Sequence, residues 1–135
     1  MGPVLKFSQA RNSMSRVVDR VQAGEPAVIE RRGVKFLITS FDEERELLAG
    51  AFGFHPQVLT DGPGVGIILA ELGVHSEGDT LEQAEEELVD AAIDYAEDWQ
   101  AVLRNAPNHA DRRGWVWRIA LADDRDAVRR ILFGQ

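Results

Sequence analysis

Apolar residues recur along this chain with two periods, and the period changes several times. Residues 4–7, Val-Leu-Lys-Phe, read as a short strand. From Ala10 the spacing lengthens: Ala10, Met14, Val17, Val18 and Val21 fall three or four apart and share one helix face. Ser8 stands where its hydroxyl can cap this helix, and Gly24 with Pro26 ends it. Residues 27–31 and 34–40 are β-rich, with Phe36 and Ile38 alternating against Leu37 and Thr39. Arg32-Gly33 between them suits a two-residue hairpin turn. Ser40-Phe41-Asp42-Glu43 has the form of a capping box and opens a helix to about Ala49.

The pattern then breaks. Residues 50–66 hold Gly50, Gly53, Gly62, Gly64 and Gly66 with Pro56 and Pro63, the composition of a linker. Phe52, Phe54, Val58 and Leu59 make it less polar than a free one. Residues 67–74 read as a strand. After Gly78 comes the clearest helix, capped by Asp79 or Thr80, in which Leu81, Ala84, Leu88, Ala92, Tyr95 and Trp99 make one stripe. Residues 104–113 are polar. Trp115, Trp117, Ile119 and Leu121 alternate, which predicts a strand with both tryptophans in the core; an interface is the alternative role for them. Asp123 or Asp124 caps a last helix carrying Ala127, Val128, Ile131 and Leu132. The predicted fold class is α+β in three parts. Residues 1–49 form a β-α-β-β-α unit, 50–66 a Gly/Pro-rich linker, and 67–135 a small acidic α/β body ordered strand-helix-strand-helix.

Composition narrows the function classes. With 44% apolar residues in 135, the chain can fill a core. The absence of cysteine excludes disulfides, zinc–thiolate sites and thiol nucleophiles, and fits a cytoplasmic location. No apolar run approaches the roughly 20 residues of a membrane span, and no leader segment or membrane association is expected. His55, His75 and His109 lack metal-ligand spacing. Gly62-Pro63-Gly64-Val65-Gly66 lacks the Gly-Lys-Ser/Thr of a phosphate loop. No catalytic residue, metal or cofactor is therefore expected, and the chain is not read as an enzyme.

Charge divides the chain. Up to Phe41 there are seven bases and three acids, a net +4; the remainder has eight bases and twenty acids, a net −12, within a total of −8. A basic head suits a polyanion and an acidic body a cationic partner.

The head also resembles a known family. Phe7-Ser8-Gln9-Ala10-Arg11, Val17-Val18-Asp19-Arg20-Val21, Gly24-Glu25-Pro26, Val28-Ile29-Glu30-Arg31-Arg32-Gly33 and Phe36-Leu37-Ile38-Thr39-Ser40, in that order, resemble the N-terminal domain of the Phd/YefM (prevent-host-death) antitoxins. The resemblance implies a homodimer that binds operator DNA, with a C-terminal part that neutralises a toxin. In that family the Arg of the Ser-x-Ala-Arg run and the Arg before the hairpin turn contact DNA; they match Arg11 and Arg31. Lys6, Ser8, Asn12 and Arg32 join them by charge and position. Met14, Val17, Val18 and Val21 are the expected dimerisation face, because so small a unit buries little surface alone.

A second, shorter resemblance follows. Leu69-Ala70-Glu71-Leu72-Gly73 through Glu77-Gly78-Asp79-Thr80-Leu81-Glu82-Gln83-Ala84 is similar to the strand-turn-helix element of HicB-type antitoxins, without the Pro-Gly-Cys type turn that usually precedes it. Ordinary Phd/YefM proteins instead end in a poorly structured toxin-binding tail. Glu82, Glu85, Glu86, Asp90 and Asp94 are the expected contacts to a basic, RNA-cleaving toxin, whose polyanion-binding cleft an acidic segment could cover, and Glu97 and Asp98 extend the same acidic face. The leading expectation is a type II antitoxin that represses its own operon. The alternative is a protein-only interaction module that uses its head for dimerisation without DNA binding.

Overall fold

The computed structural model describes residues 4–134. They fold as two compact units, divided between Leu47 and Leu48. Both are mixed, so the class is α+β, with one three-stranded sheet in each unit.

The first unit begins with β1 (Val4–Lys6), followed by α1 (Phe7–Asn12) and α2 (Met14–Gln22). Then come β2 (Ala27–Arg31) and β3 (Val34–Ile38), and α3 (Phe41–Ala51) runs across the division. β1 pairs parallel with β2, and β2 antiparallel with β3. The expected single helix is broken. Ser13 lies between α1 and α2, and its hydroxyl donates to the Gln9 carbonyl at 2.7 Å, the local competition that makes serine a poor helix-interior residue. Ser8 is not a cap. The cap position is Lys6, two residues earlier, and the Gln9 side chain accepts from the Lys6 backbone N–H at 3.0 Å.

The hairpin turn is tighter than a single glycine would require. Arg32 has φ 53° and Gly33 φ 79°, and Arg31 pairs with Val34 across them. Two positive φ values define the turn whose twist matches a β-hairpin. Ala10, Val17, Val21, Ala27 and Ile29 form the core of this unit.

The second unit opens on a meander of β4 (Gln57–Leu59), β5 (Val65–Leu69) and β6 (Val74–Gly78). The long α4 (Leu81–Ala101) packs across β5 and β6 and against α5 (Arg113–Ala120) and α6 (Arg125–Phe133). Thr80 caps α4, accepting from Gln83 N–H at 3.2 Å, and Asp124 caps α6, accepting from Ala127 N–H at 2.8 Å. Ile67, Leu69, Leu72, Leu88, Val89 and Val116 centre the core.

Two expectations are corrected here. The stretch expected to be an irregular linker contains β4, and the order strand-helix-strand-helix gives way to three strands followed by three helices. The predicted strand around Trp115 is α5. Its alternation competes with a three-residue step from Val116 to Ile119, and both of these are buried in the core beside α4. Packing against a long helix decides between the two periods. Trp115 is half-buried and Trp117 exposed, so the tryptophans do not form a common core face.

Candidate functional site

The basic residues of the first unit fall on two sides of its sheet. Lys6 pairs in register with Glu30, and Glu30 with Lys35, so these three side chains share the face that also carries Val4, Val28 and Leu37. Arg31 points the other way, with Ile29 and Ala27, toward the helices. Its guanidinium lies 4.8 Å from the centre of the Phe7 ring. That stack joins the end of β2 to the start of α1. Ser8, Arg11 and Asn12 are exposed along α1, and Arg32 is exposed at the turn. The structure thus places Arg31 beside α1, and sets Lys6 apart with a carboxylate as its neighbour. Phe7 is the residue that sequence reading missed here. An aromatic residue at the mouth of a helix that carries Arg11 is the signal that was available.

The expected dimerisation residues also divide. Val17 is 2% exposed and Val21 is buried, both within their own unit, whereas Met14 and Val18 are exposed. Burying Val17 and Val21 against Ala27 and Ile29 corrects the expectation that all four form one uncovered face. β3 adds to the uncovered surface. Phe36 and Leu37 are 54% and 63% exposed, on opposite faces of the strand.

The acidic face of α4 is largely neutralised from within. Glu82, Glu86, Asp90 and Asp94 step by four along one side of the helix. Arg125 donates to the Glu86 carboxylate, to Asp90 Oδ1 at 3.0 Å and to the Glu86 carbonyl at 3.0 Å. Arg129 bridges Glu86 and Glu85. The hydrogen bonds it donates, to Glu86 first and then to Asp90, hold the Arg125 guanidinium above the ordinary arginine pKa, and it stays charged. Three of the five acids expected to face a toxin are therefore partnered by α6, and Glu85 is buried. Glu82 and Asp94 remain exposed. The signal for this clasp was in the sequence. Two arginines four apart on one helix match two acids four apart on another.

Elsewhere in the second unit polar groups serve the fold. Trp99 Nε1 donates to the His109 carbonyl at 2.8 Å, and the Tyr95 hydroxyl shares a 2.7 Å hydrogen bond with His109 Nδ1. Arg112 donates to the Leu72 carbonyl at 2.8 Å and to Tyr95 at 3.0 Å. Burial lowers the pKa of Arg118, which donates to the Phe52 carbonyl at 3.0 Å. Among the described residues there is no group of three or more potential ligands placed to hold a metal, and no helix long and apolar enough to cross a membrane.

Comparison with known proteins adds two findings. The fold is similar to the crystal structure of a protein from Syntrophomonas wolfei subsp. wolfei described as an "antitoxin part". The TM-score is 0.82, with 98% of this chain and 97% of that chain covered, at 18% identity. At that identity the likeness speaks for the fold alone. No curated protein matches the sequence. Residues 1–133 match the family model described as "PHD_like: Antitoxin of toxin-antitoxin, RelE / RelB, TA system". Spanning nearly its whole length, this match makes the chain a member of that family of toxin–antitoxin antitoxins, whose members are antitoxins and not enzymes.

Proposed function

We propose that this antitoxin is a cytoplasmic type II antidote. It dimerises and binds its operator through a Phd/YefM-like first unit, and it neutralises a basic toxin by direct binding through the second. One observation carries the DNA half. Among the described residues Arg11, Arg31 and Arg32 are exposed with no ion-pair partner, on a unit that also leaves Met14, Val18, Phe36 and Leu37 uncovered. Unpaired arginines supply phosphate and base-edge donors. The uncovered apolar surface suits a second copy, and pairing two copies would present two such clusters to a two-fold operator. The toxin half rests on family membership and on the charge of the second unit, where residues 48–135 carry seven bases and sixteen acids.

The test is a titration of the full chain on its own promoter fragment at several salt concentrations. Binding should weaken steeply with salt, by a slope set by the number of phosphates neutralised. Binding no tighter than to an unrelated fragment would leave the protein-only alternative.

A further inference from the structure

Where α4, α5 and α6 meet, the packing leaves a groove of about 270 Å³. Ile93, Ala96, Ile119, Ala122 and Val128 line it, and Glu97 and Asp124 stand among the lining. The volume lies just below the range of small-molecule pockets, roughly 300–1,000 Å³. It has the size for a side chain or two. Trp117, one turn before the lining residue Ala120 on α5, is 41% exposed, and the Arg113 guanidinium lies 5.8 Å from the centre of its ring.

Charge specifies the occupant. Asp94, Glu97 and Asp98 sit in the last two turns of α4, and its last turn holds no base. A helix C-terminus is already electronegative, so acids there are unfavourable for the fold itself. The arginines Arg125 and Arg129 are occupied at Glu85, Glu86 and Asp90, and among the described residues Asp94 and Glu97 have no ion-pair partner. An incoming cation relieves this repulsion.

We propose that this groove, and not the Glu85–Glu86–Asp90 face, is the docking site for the toxin. It receives an apolar side chain from a basic segment, whose Lys or Arg residues meet Asp94 and Glu97. The inference rests on the reading that the second unit neutralises a basic toxin by direct contact.

The experiment uses the full chain and the protein encoded by the gene adjacent to its own, purified separately and titrated by calorimetry. Glu97→Arg combined with Ala120→Arg alters two exposed positions at the groove. Glu87→Arg is a charge-reversal control at an exposed position near the other end of α4. Circular dichroism melting of each variant establishes that it folds. The groove variant should lose about 30-fold or more in affinity, the scale of an interface hot spot, and the control less than about 3-fold. Equal losses in both would make the attraction a diffuse effect of net charge and overturn the groove while leaving direct neutralisation standing. An unchanged groove variant would do the same. If the wild-type chain fails to bind, direct neutralisation itself falls, and the groove with it.

Discussion

Gly114 and Phe52 occupy one space. A Cβ on Gly114 would overlap the Phe52 ring, so the ring stands where any other residue would carry a side chain. This seats the stretch after α3 on the surface of α5. Trp115 Nε1 donates to the Gly53 carbonyl at 2.9 Å, and Arg118 donates to that of Phe52. Gly114→Ala should therefore destabilise the chain by about 1–3 kcal/mol, the usual cost of overpacking a tight contact. In urea denaturation Phe52→Ala should lose stability alone, yet lose less when combined with Gly114→Ala. Strict additivity of the two would show that they do not share this contact.

Arg32 is a non-glycine residue held at φ 53°, a conformation that costs most residues roughly 1–2 kcal/mol and asparagine less. Arg32→Asn should raise thermal stability by up to about 1 kcal/mol. If Arg32 also contacts DNA, the same variant should bind the promoter more weakly. Stability and operator affinity moving in opposite directions would mark a strained functional residue. A more stable protein with unchanged affinity would assign Arg32 to the turn alone.

If the first unit binds DNA as proposed, the stack of Arg31 on Phe7 and the exposure of Arg11 favour these two arginines over Lys6 as contacts. Arg11→Ala and Arg31→Ala should each weaken promoter binding by roughly 1–3 kcal/mol if they read bases, or flatten the salt dependence if they hold phosphate. Lys6→Ala, with Glu30 alongside, should cost less. A larger loss for Lys6→Ala than for either arginine would put the DNA on the other face of the sheet.

Dimerisation should separate cleanly from folding. Val18→Asp and Phe36→Asp alter exposed side chains, so each should leave the helical circular dichroism signal intact while light scattering shows monomers. Val17→Asp places a charge in the core and should unfold the unit, a loss of several kcal/mol. A dimer that survives both surface substitutions would move the interface away from α2 and β3.

The α4–α6 clasp predicts a stability effect without a matching effect on toxin binding. Arg129→Ala leaves the buried Glu85 carboxylate without its arginine and should cost roughly 1–3 kcal/mol in urea denaturation. Calorimetry on the folded variant should find the toxin bound nearly as well as by the wild type. A collapse in affinity with little change in stability would return Glu85 and Glu86 to the interface.

The sequence by itself determined what a few neighbouring residues can decide. The starts of α4 and α6 were legible to within one residue, at Asp79 or Thr80 and at Asp123 or Asp124, because a cap acts within three residues of itself, and the fold chose Thr80 and Asp124. Arg32-Gly33 allowed a hairpin, and the two positive φ values then set the pairing from Arg31–Val34 to Ala27–Ile38. The division of charge between head and body is also a property of the sequence, as is the fold class. Tertiary structure decided the rest. The seven residues from Trp115 fit both periods, and burial of Val116 and Ile119 beside α4 chose the helix. Pairing of Val58 with Ile67 across a glycine-rich turn made a strand of a segment whose composition reads as linker. The apolar stripe of α2 shows which residues can be buried, but only the approach of β2 settles that Val17 and Val21 are covered and Met14 and Val18 are not. The charge of α4 is written in its sequence, while its availability depends on where α6 brings Arg125 and Arg129, about forty residues further on. Local rules narrow conformation where their partners are neighbours in the chain, as at Thr80 and Asp124 but not at Ser8; exposure and pairing depend on distant residues that only the folded backbone brings together.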